Sequence, residues 1–85
     1  MWFVYVLRCS DQSLYTGITT DLERRLKEHN SSHLGAKYTK TRRPVQLVWF
    51  ETVESRSSAS QKEYRIKKLS KQKKEELIKN FGSPT

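Results

Sequence analysis

The chain has 85 residues, the size of one domain, and its seventeen Lys/Arg against nine Asp/Glu leave it at +8 with a pI near 9.9. One cysteine, Cys9, excludes a disulfide framework and leaves no disulfide partner; the apolar run Trp2–Leu7 ends at Arg8 and is too short for a signal peptide or a membrane span. The expectation is a cytoplasmic, monomeric domain, and a basic balance of this size points to phosphate groups, nucleic acid first among them, with a merely solubilising charge as the plainer reading.

Trp2-Phe3-Val4-Tyr5-Val6-Leu7 is continuously apolar and rich in β-branched and aromatic residues, which predicts a strand covered on both faces. Cys9–Ser13 is polar and turn-like, and Leu14-Tyr15-Thr16-Gly17-Ile18 predicts a second strand, so the pair reads as a hairpin. Gly17 inside a strand marks a bulge or the close approach of another group. If Tyr5 and Tyr15 share one site they must share one sheet face. Direct pairing of the two requires partner numbers that sum to 20 and an odd-numbered turn.

Thr20-Asp21-Leu22-Glu23 reads as a capping box with Thr20 as the cap, opening a helix from about Asp21 to Asn30. Leu22 and Leu26 form its apolar stripe, and Arg25 and His29 lie at the stripe's edge. Residues 31–44 read as a long structureless connection that carries Lys37, Tyr38, Lys40, Arg42 and Arg43 and no acidic residue. That composition suits a phosphate-contacting loop as well as a solvated one. Val45–Phe50 predicts a third strand, apolar enough to lie centrally. Ser55 or Ser57 caps the next helix, whose inward stripe is Ala59, Glu63, Ile66 and Leu69. Ser70 caps a last helix over Lys71–Asn80, anchored by Leu77, Ile78 and Phe81, with Gly82 as its C-cap. The order β-β-α-β-α-α predicts an α+β domain over residues 1–82, a small sheet flanked by helices, with a frayed tail at 83–85.

One cysteine and two histidines cannot build a structural zinc site, and no glycine-rich phosphate loop is present. Cys9 has no sequence neighbour that would activate it as a nucleophile. Glu63 is the sharpest residue: a carboxylate on an inward helix face must be paired or must hold a cation. One carboxylate with open water positions suits Mg²⁺ or Mn²⁺ at a phosphate. An ion pair with a neighbouring Lys or Arg accounts for it equally well. Tyr5 and Tyr15 are ordinary strand residues by composition, and Arg25 has the chemistry of a phosphate clamp. The basic loop together with Lys67 and Lys71 supplies candidate backbone contacts.

Phe3-Val4-Tyr5, then Tyr15-Thr16-Gly17, then Leu22-Glu23-Arg24-Arg25-Leu26-Lys27-Glu28-His29 and a glutamate in the penultimate helix resemble, in order and spacing, the GIY-YIG nuclease superfamily. The likeness is to its small single-domain bacterial branch and spans essentially the whole chain. It implies a three-stranded, largely antiparallel sheet flanked by helices and a one-metal phosphodiesterase site. By the resemblance, Tyr5 and Tyr15 are the two motif tyrosines, Gly17 the closing glycine, Arg25 the helix arginine, Glu63 the ligand for one Mg²⁺ or Mn²⁺, and His29 a histidine used by some restriction-type members. Phe3-Val4 stands where the family motif has Gly-Ile, and Thr16 where it has Ile. Ile18 and Thr19 stand where many members carry a lysine, and Asn80 is the candidate for a late asparagine. The implied activity is DNA endonuclease, in repair or recombination, with little sequence preference. The alternatives are a DNA-binding module without catalysis and a structural domain in which Glu63 is only ion-paired.

Overall fold

The uninterrupted apolar run at the start of the chain becomes the centre of the sheet. In the computed structural model, which describes residues 1–81, the elements are β1 (Trp2–Arg8), β2 (Leu14–Thr19), α1 (Leu22–Ser31), α2 (Lys37–Lys40), β3 (Gln46–Val53), α3 (Arg56–Lys68) and α4 (Lys71–Asn80). The expected C-cap Gly82 and the tail at 83–85 lie outside the described residues. The strands are antiparallel in the order β2-β1-β3, so the α+β class and the three-stranded sheet are as expected. Among the described residues no helix is long and apolar enough to cross a membrane.

Both faces of β1 are covered, which is why its apolar residues do not alternate with polar ones. Val4 and Val6 pack with Trp49, Ala59 and Ile66 under α3 and α4. Tyr5 and Leu7 pack on the other face with Cys9, Val45, Leu22 and Leu26, under α1. Each fully buried aliphatic side chain contributes roughly 1.5–3 kcal/mol, and a domain with two thin cores has few of them. Polar fasteners therefore matter. Arg8 at the end of β1 grips Glu75 of α4 with both nitrogens, at 2.8 and 2.5 Å. The Asn30 side chain pairs with the Val45 backbone in both directions, accepting at 2.7 Å and donating at 3.0 Å, and so fixes where β3 starts.

Four expectations need correction. β3 lies at an edge, not in the middle: Val48 and Trp49 face one apolar layer while Leu47 and Phe50 face the other, so its hydrophobicity reflects two covered faces rather than two paired edges. A register shift opposite Val6 and Leu7 accommodates that packing. Asp21, not Thr20, caps α1, accepting from the Arg24 amide at 3.0 Å, while Thr19 Oγ1 accepts from the Asp21 amide at 3.2 Å. The long connection is not structureless, because it contains the short helix α2. Finally, Tyr5 pairs with Gly17, and Tyr15 pairs with Leu7, so the partner numbers do not sum to 20. The tyrosines still share a face, because Tyr5 and Leu7 are two positions apart on one strand.

That register explains Gly17. A Cβ built on it would stand 2.5 Å from Tyr5 Oη and 2.7 Å from Tyr5 Cζ, with Tyr15 Cε2 at 3.1 Å. The Tyr5 ring lies across the bare backbone of β2 and could not do so over any larger residue. Ser55 and Ser70 cap α3 and α4 as expected, accepting from the Ser58 and Lys73 amides. The Cys9–Ser13 turn is closed by the Cys9 amide on Ser13 O at 2.9 Å, with Gln12 in the left-handed region at φ 69°. Gly17→Ala is expected to lower stability by about 1–3 kcal/mol in urea unfolding, the cost of forcing the Tyr5 ring off the strand; an unchanged midpoint would show that the ring can shift freely.

Candidate active site

Two strands and one helix bring the first members of the constellation together. Tyr5 and Tyr15 lie on the α1 face of the sheet, and the last turn of α1 lowers His29 onto them. His29 is fully buried. Its Nε2 is hydrogen-bonded to Tyr5 Oη at 2.8 Å. The Tyr15 ring stands edge-on to the imidazole at 5.2 Å and 6.4 Å from the Tyr5 ring. On its outer side Tyr15 stacks on Tyr38 of α2, at 6.0 Å and 27°. Sequence placed His29 at the margin of a helix stripe, yet it is one of the most deeply buried side chains.

Arg25, one turn earlier on α1, lines a small hollow with Tyr5, Leu7, Leu22, Leu26 and Leu47. Its Nη1 donates to Glu28 Oε1 and to Leu34 O, both at 2.8 Å. Burial works against its charge, but Glu28 and Tyr5 outweigh that and hold the guanidinium above its ordinary pKa. Burial pushes the Tyr5 phenol up to about 12, against the downward pull of Arg25; Tyr15 and Glu63 add to the rise. Burial pushes His29 down to about 4, and the charges of Arg25 and Arg43 act in the same direction against Glu28. At neutral pH the pair is thus a protonated phenol and an uncharged imidazole.

Glu63 stands apart from this contact cluster. It comes from α3, whose Ala59 and Ile66 pack against Val4 and Val6 on the opposite sheet face. It reaches Tyr5 through its field rather than by contact. Its Oε2 lies 3.5 Å from Lys67 Nζ one turn on, and its side chain is only 24% exposed. A loosely paired hard oxygen donor of this kind fits a single Mg²⁺ or Mn²⁺ that keeps most of its water. Among the described residues no three His, Cys, Asp or Glu side chains cluster as a multi-ligand metal centre.

The basic residues of the connection divide. Lys37 and Lys40 project from α2 into solvent. Arg42 is a strut: it meets Asp11 at 3.1 Å, donates to Tyr38 O at 2.9 Å and lies 3.9 Å over the Tyr38 ring. Arg43 is taken up by the end of α1, donating to the carbonyls of His29 and Ser32 at 2.6 Å each and of Glu28 at 3.3 Å. Its place is structural, as a C-terminal helix cap. Lys71 reaches Gln12 O at 3.2 Å across the hairpin turn. Asn80 ends α4, exposed. Burial pushes the Cys9 thiol up, which fits an inert core cysteine.

Thr39 is the site residue with no signal in the sequence. It is fully buried on α2, and its Oγ1 lies 2.9 Å from His29 Nδ1 and 2.9 Å from Ala36 O. Nothing in spacing or charge separates it from Thr41; only the packing of α2 against α1 does.

A family model for the GIY-YIG catalytic domain matches residues 1–76. A UPF0213 protein from Desulfotalea psychrophila is 58% identical over 92% of this chain and 71% of its own length. One from Syntrophus aciditrophicus is 56% identical over 91% and 88%. The solution NMR structure of a UPF0213 protein from Bacillus halodurans superposes with a TM-score of 0.62 at 47% identity, covering 99% of this chain and 89% of that one. That of a protein from E. faecalis does so with 0.61 at 48%, over 91% and 81%.

The buried neutral His29 carries a pH signature. The unfolded chain binds a proton at this residue near pH 6.5, whereas the folded chain resists it down to about 4. Its contribution is therefore full above pH 6.5 and is lost as pH falls from 6.5 to about 4, by roughly 3 kcal/mol at most. Urea unfolding at stepped pH should show this loss in the wild type and a shallower dependence in His29→Gln.

Proposed function

The chain belongs to the GIY-YIG catalytic-domain family, a nuclease superfamily, and we propose on that premise that it hydrolyses DNA phosphodiester bonds as a divalent-metal-dependent endonuclease with little sequence preference. The observation that carries the reading is the buried bond between Tyr5 Oη and His29 Nε2 beside Arg25. A phenol held near pKa 12 is no base by itself at neutral pH. It becomes one when its own proton has somewhere to go.

An attacking water passes a proton to Tyr5 Oη while the phenolic proton moves to His29 Nε2. The hydroxide oxygen forms the new bond to phosphorus, the bond from phosphorus to the leaving oxygen breaks, and that oxygen is protonated from solvent. The anionic phosphodiester raises the proton affinity of the neighbouring imidazole, which is too low in the free protein. Arg25 stabilises charge on the phosphoryl oxygens. Glu63 would hold the single Mg²⁺ or Mn²⁺, which when bound supplies positive charge at the phosphate. Lys37 and Lys40, which flank Tyr38 on α2, and Lys67 on α3 track the DNA backbone, so binding weakens steeply with salt.

The test is cleavage of single-stranded, duplex, flapped and branched DNA with Mg²⁺, with Mn²⁺ and with chelator. Cleavage that requires the ion and falls about 100-fold or more in Glu63→Gln and in Arg25→Ala, with DNA binding retained, is the expected result. Salt-dependent binding without cleavage of any substrate would replace the enzyme with a binding module. Absence of both would leave a structural domain.

A further inference from the structure

We propose that Thr39 is a positioning residue that holds His29 in the Nδ1–H tautomer, so that Nε2 always presents its lone pair to Tyr5. A threonine hydroxyl has one proton. Thr39 Oγ1 lies 2.9 Å from Ala36 O, and a carbonyl oxygen only accepts, so that proton is committed. Towards His29 Nδ1, also at 2.9 Å, the hydroxyl then offers only a lone pair, and Nδ1 must carry the hydrogen. Nε2 is left as the acceptor, and Tyr5 Oη donates to it at 2.8 Å. The result is a one-way chain: Tyr5 O–H to Nε2, Nδ1–H to Thr39, Thr39 O–H to the Ala36 carbonyl.

One competing contact would select the opposite tautomer. The Ala36 amide lies 3.4 Å from Nδ1 and could donate to a lone pair there. At that distance the bond is beyond the usual range for an N–H donor, whereas the alternative has three bonds at 2.8–2.9 Å. The opposite arrangement would also turn Thr39 away from the Ala36 carbonyl. The opposite tautomer keeps the contacts to Tyr5 and Thr39 with donor and acceptor exchanged. It gives up the Thr39–Ala36 bond and leaves the buried Tyr5 hydroxyl proton with no acceptor among the described residues, in exchange for one long contact. The tautomer follows from the bond at the far nitrogen.

The partner cannot drift away from the histidine. A Cβ on Gly35 would stand 2.6 Å from Glu28 O and 3.0 Å from His29 Cα, so the chain leading into α2 lies directly on the backbone of α1. Arg43 closes the same junction from the other side through the Glu28, His29 and Ser32 carbonyls. His29 and Thr39 therefore move as one body. The catalytic meaning of the arrangement rests on the proposed nuclease chemistry, but the tautomer does not.

The experiment is ¹⁵N NMR of the histidine ring nitrogens in the full chain without DNA or metal. Wild type and Thr39→Ser should show His29 Nδ1 protonated and Nε2 bare. Thr39→Val, nearly isosteric, should shift His29 towards the Nε2–H form through the Ala36 amide. A bare Nδ1 in the wild type, or an unchanged signature in Thr39→Val, overturns the proposal, and the wild-type spectrum decides even if the valine variant does not fold. Where DNA is cleaved, Thr39→Val should lower kcat about 10- to 100-fold at unchanged KM, with serine restoring it. A wild type that cleaves nothing would remove the nuclease reading and leave the tautomer result standing.

Discussion

One buried hydrogen bond, from the centre of the sheet to the last turn of α1, sets the terms for the rest of the fold. Tyr5 must cross β2 to reach His29 Nε2, and the path runs over Gly17, where no side chain can stand. The same reach places Tyr15 two positions off direct pairing, so its ring fills the space between the phenol, the imidazole and Tyr38. α1 then packs with Leu22 and Leu26 beside Tyr5. α2 closes the far side of the histidine through Thr39.

Charge in this protein has two populations. Some cations are structural: Arg8 holds α4 through Glu75, Arg42 braces the hairpin turn through Asp11, and Arg43 caps α1. Others, such as Lys37 and Lys40, face solvent and give the surface its electrostatic footprint. The structural set also acts on the site. Arg25 and Arg43 help keep His29 uncharged, and an uncharged imidazole beside a protonated phenol is a proton acceptor in waiting. In the proposed reaction an arriving phosphodiester anion raises its proton affinity, so that binding is coupled to chemistry.

Much of this was legible in the sequence. The opening hairpin follows from two apolar runs around a polar turn, and Gly17 announces a close approach, though not of which group. The shared face of Tyr5 and Tyr15 follows from strand parity, even though the register does not pair them directly. What escaped depends on three-dimensional packing. Two covered faces and two paired edges give the same apolar pattern, so β3 read as central. Asp21 and Thr20 are both good caps, and the choice turned on Thr19 bonding the Asp21 amide. A run of Lys and Arg does not say which guanidinium meets carbonyls, and Thr39 is one hydroxyl among several. Glu63 was legible as an inward carboxylate, but its loose pairing with Lys67 and its remoteness from the tyrosine contacts were not.

The account stands or falls on whether the Tyr5 hydroxyl moves a proton. Tyr5→Phe keeps the ring over Gly17 and removes only the oxygen that His29 contacts. Its rate of metal-dependent DNA cleavage, measured beside its DNA affinity and unfolding midpoint, is the most direct test. Cleavage reduced by about 100-fold or more, with affinity unchanged and the chain still folded but less stable by about 1–3 kcal/mol for the lost buried bond, is the expected result. Wild-type cleavage by Tyr5→Phe would contradict it.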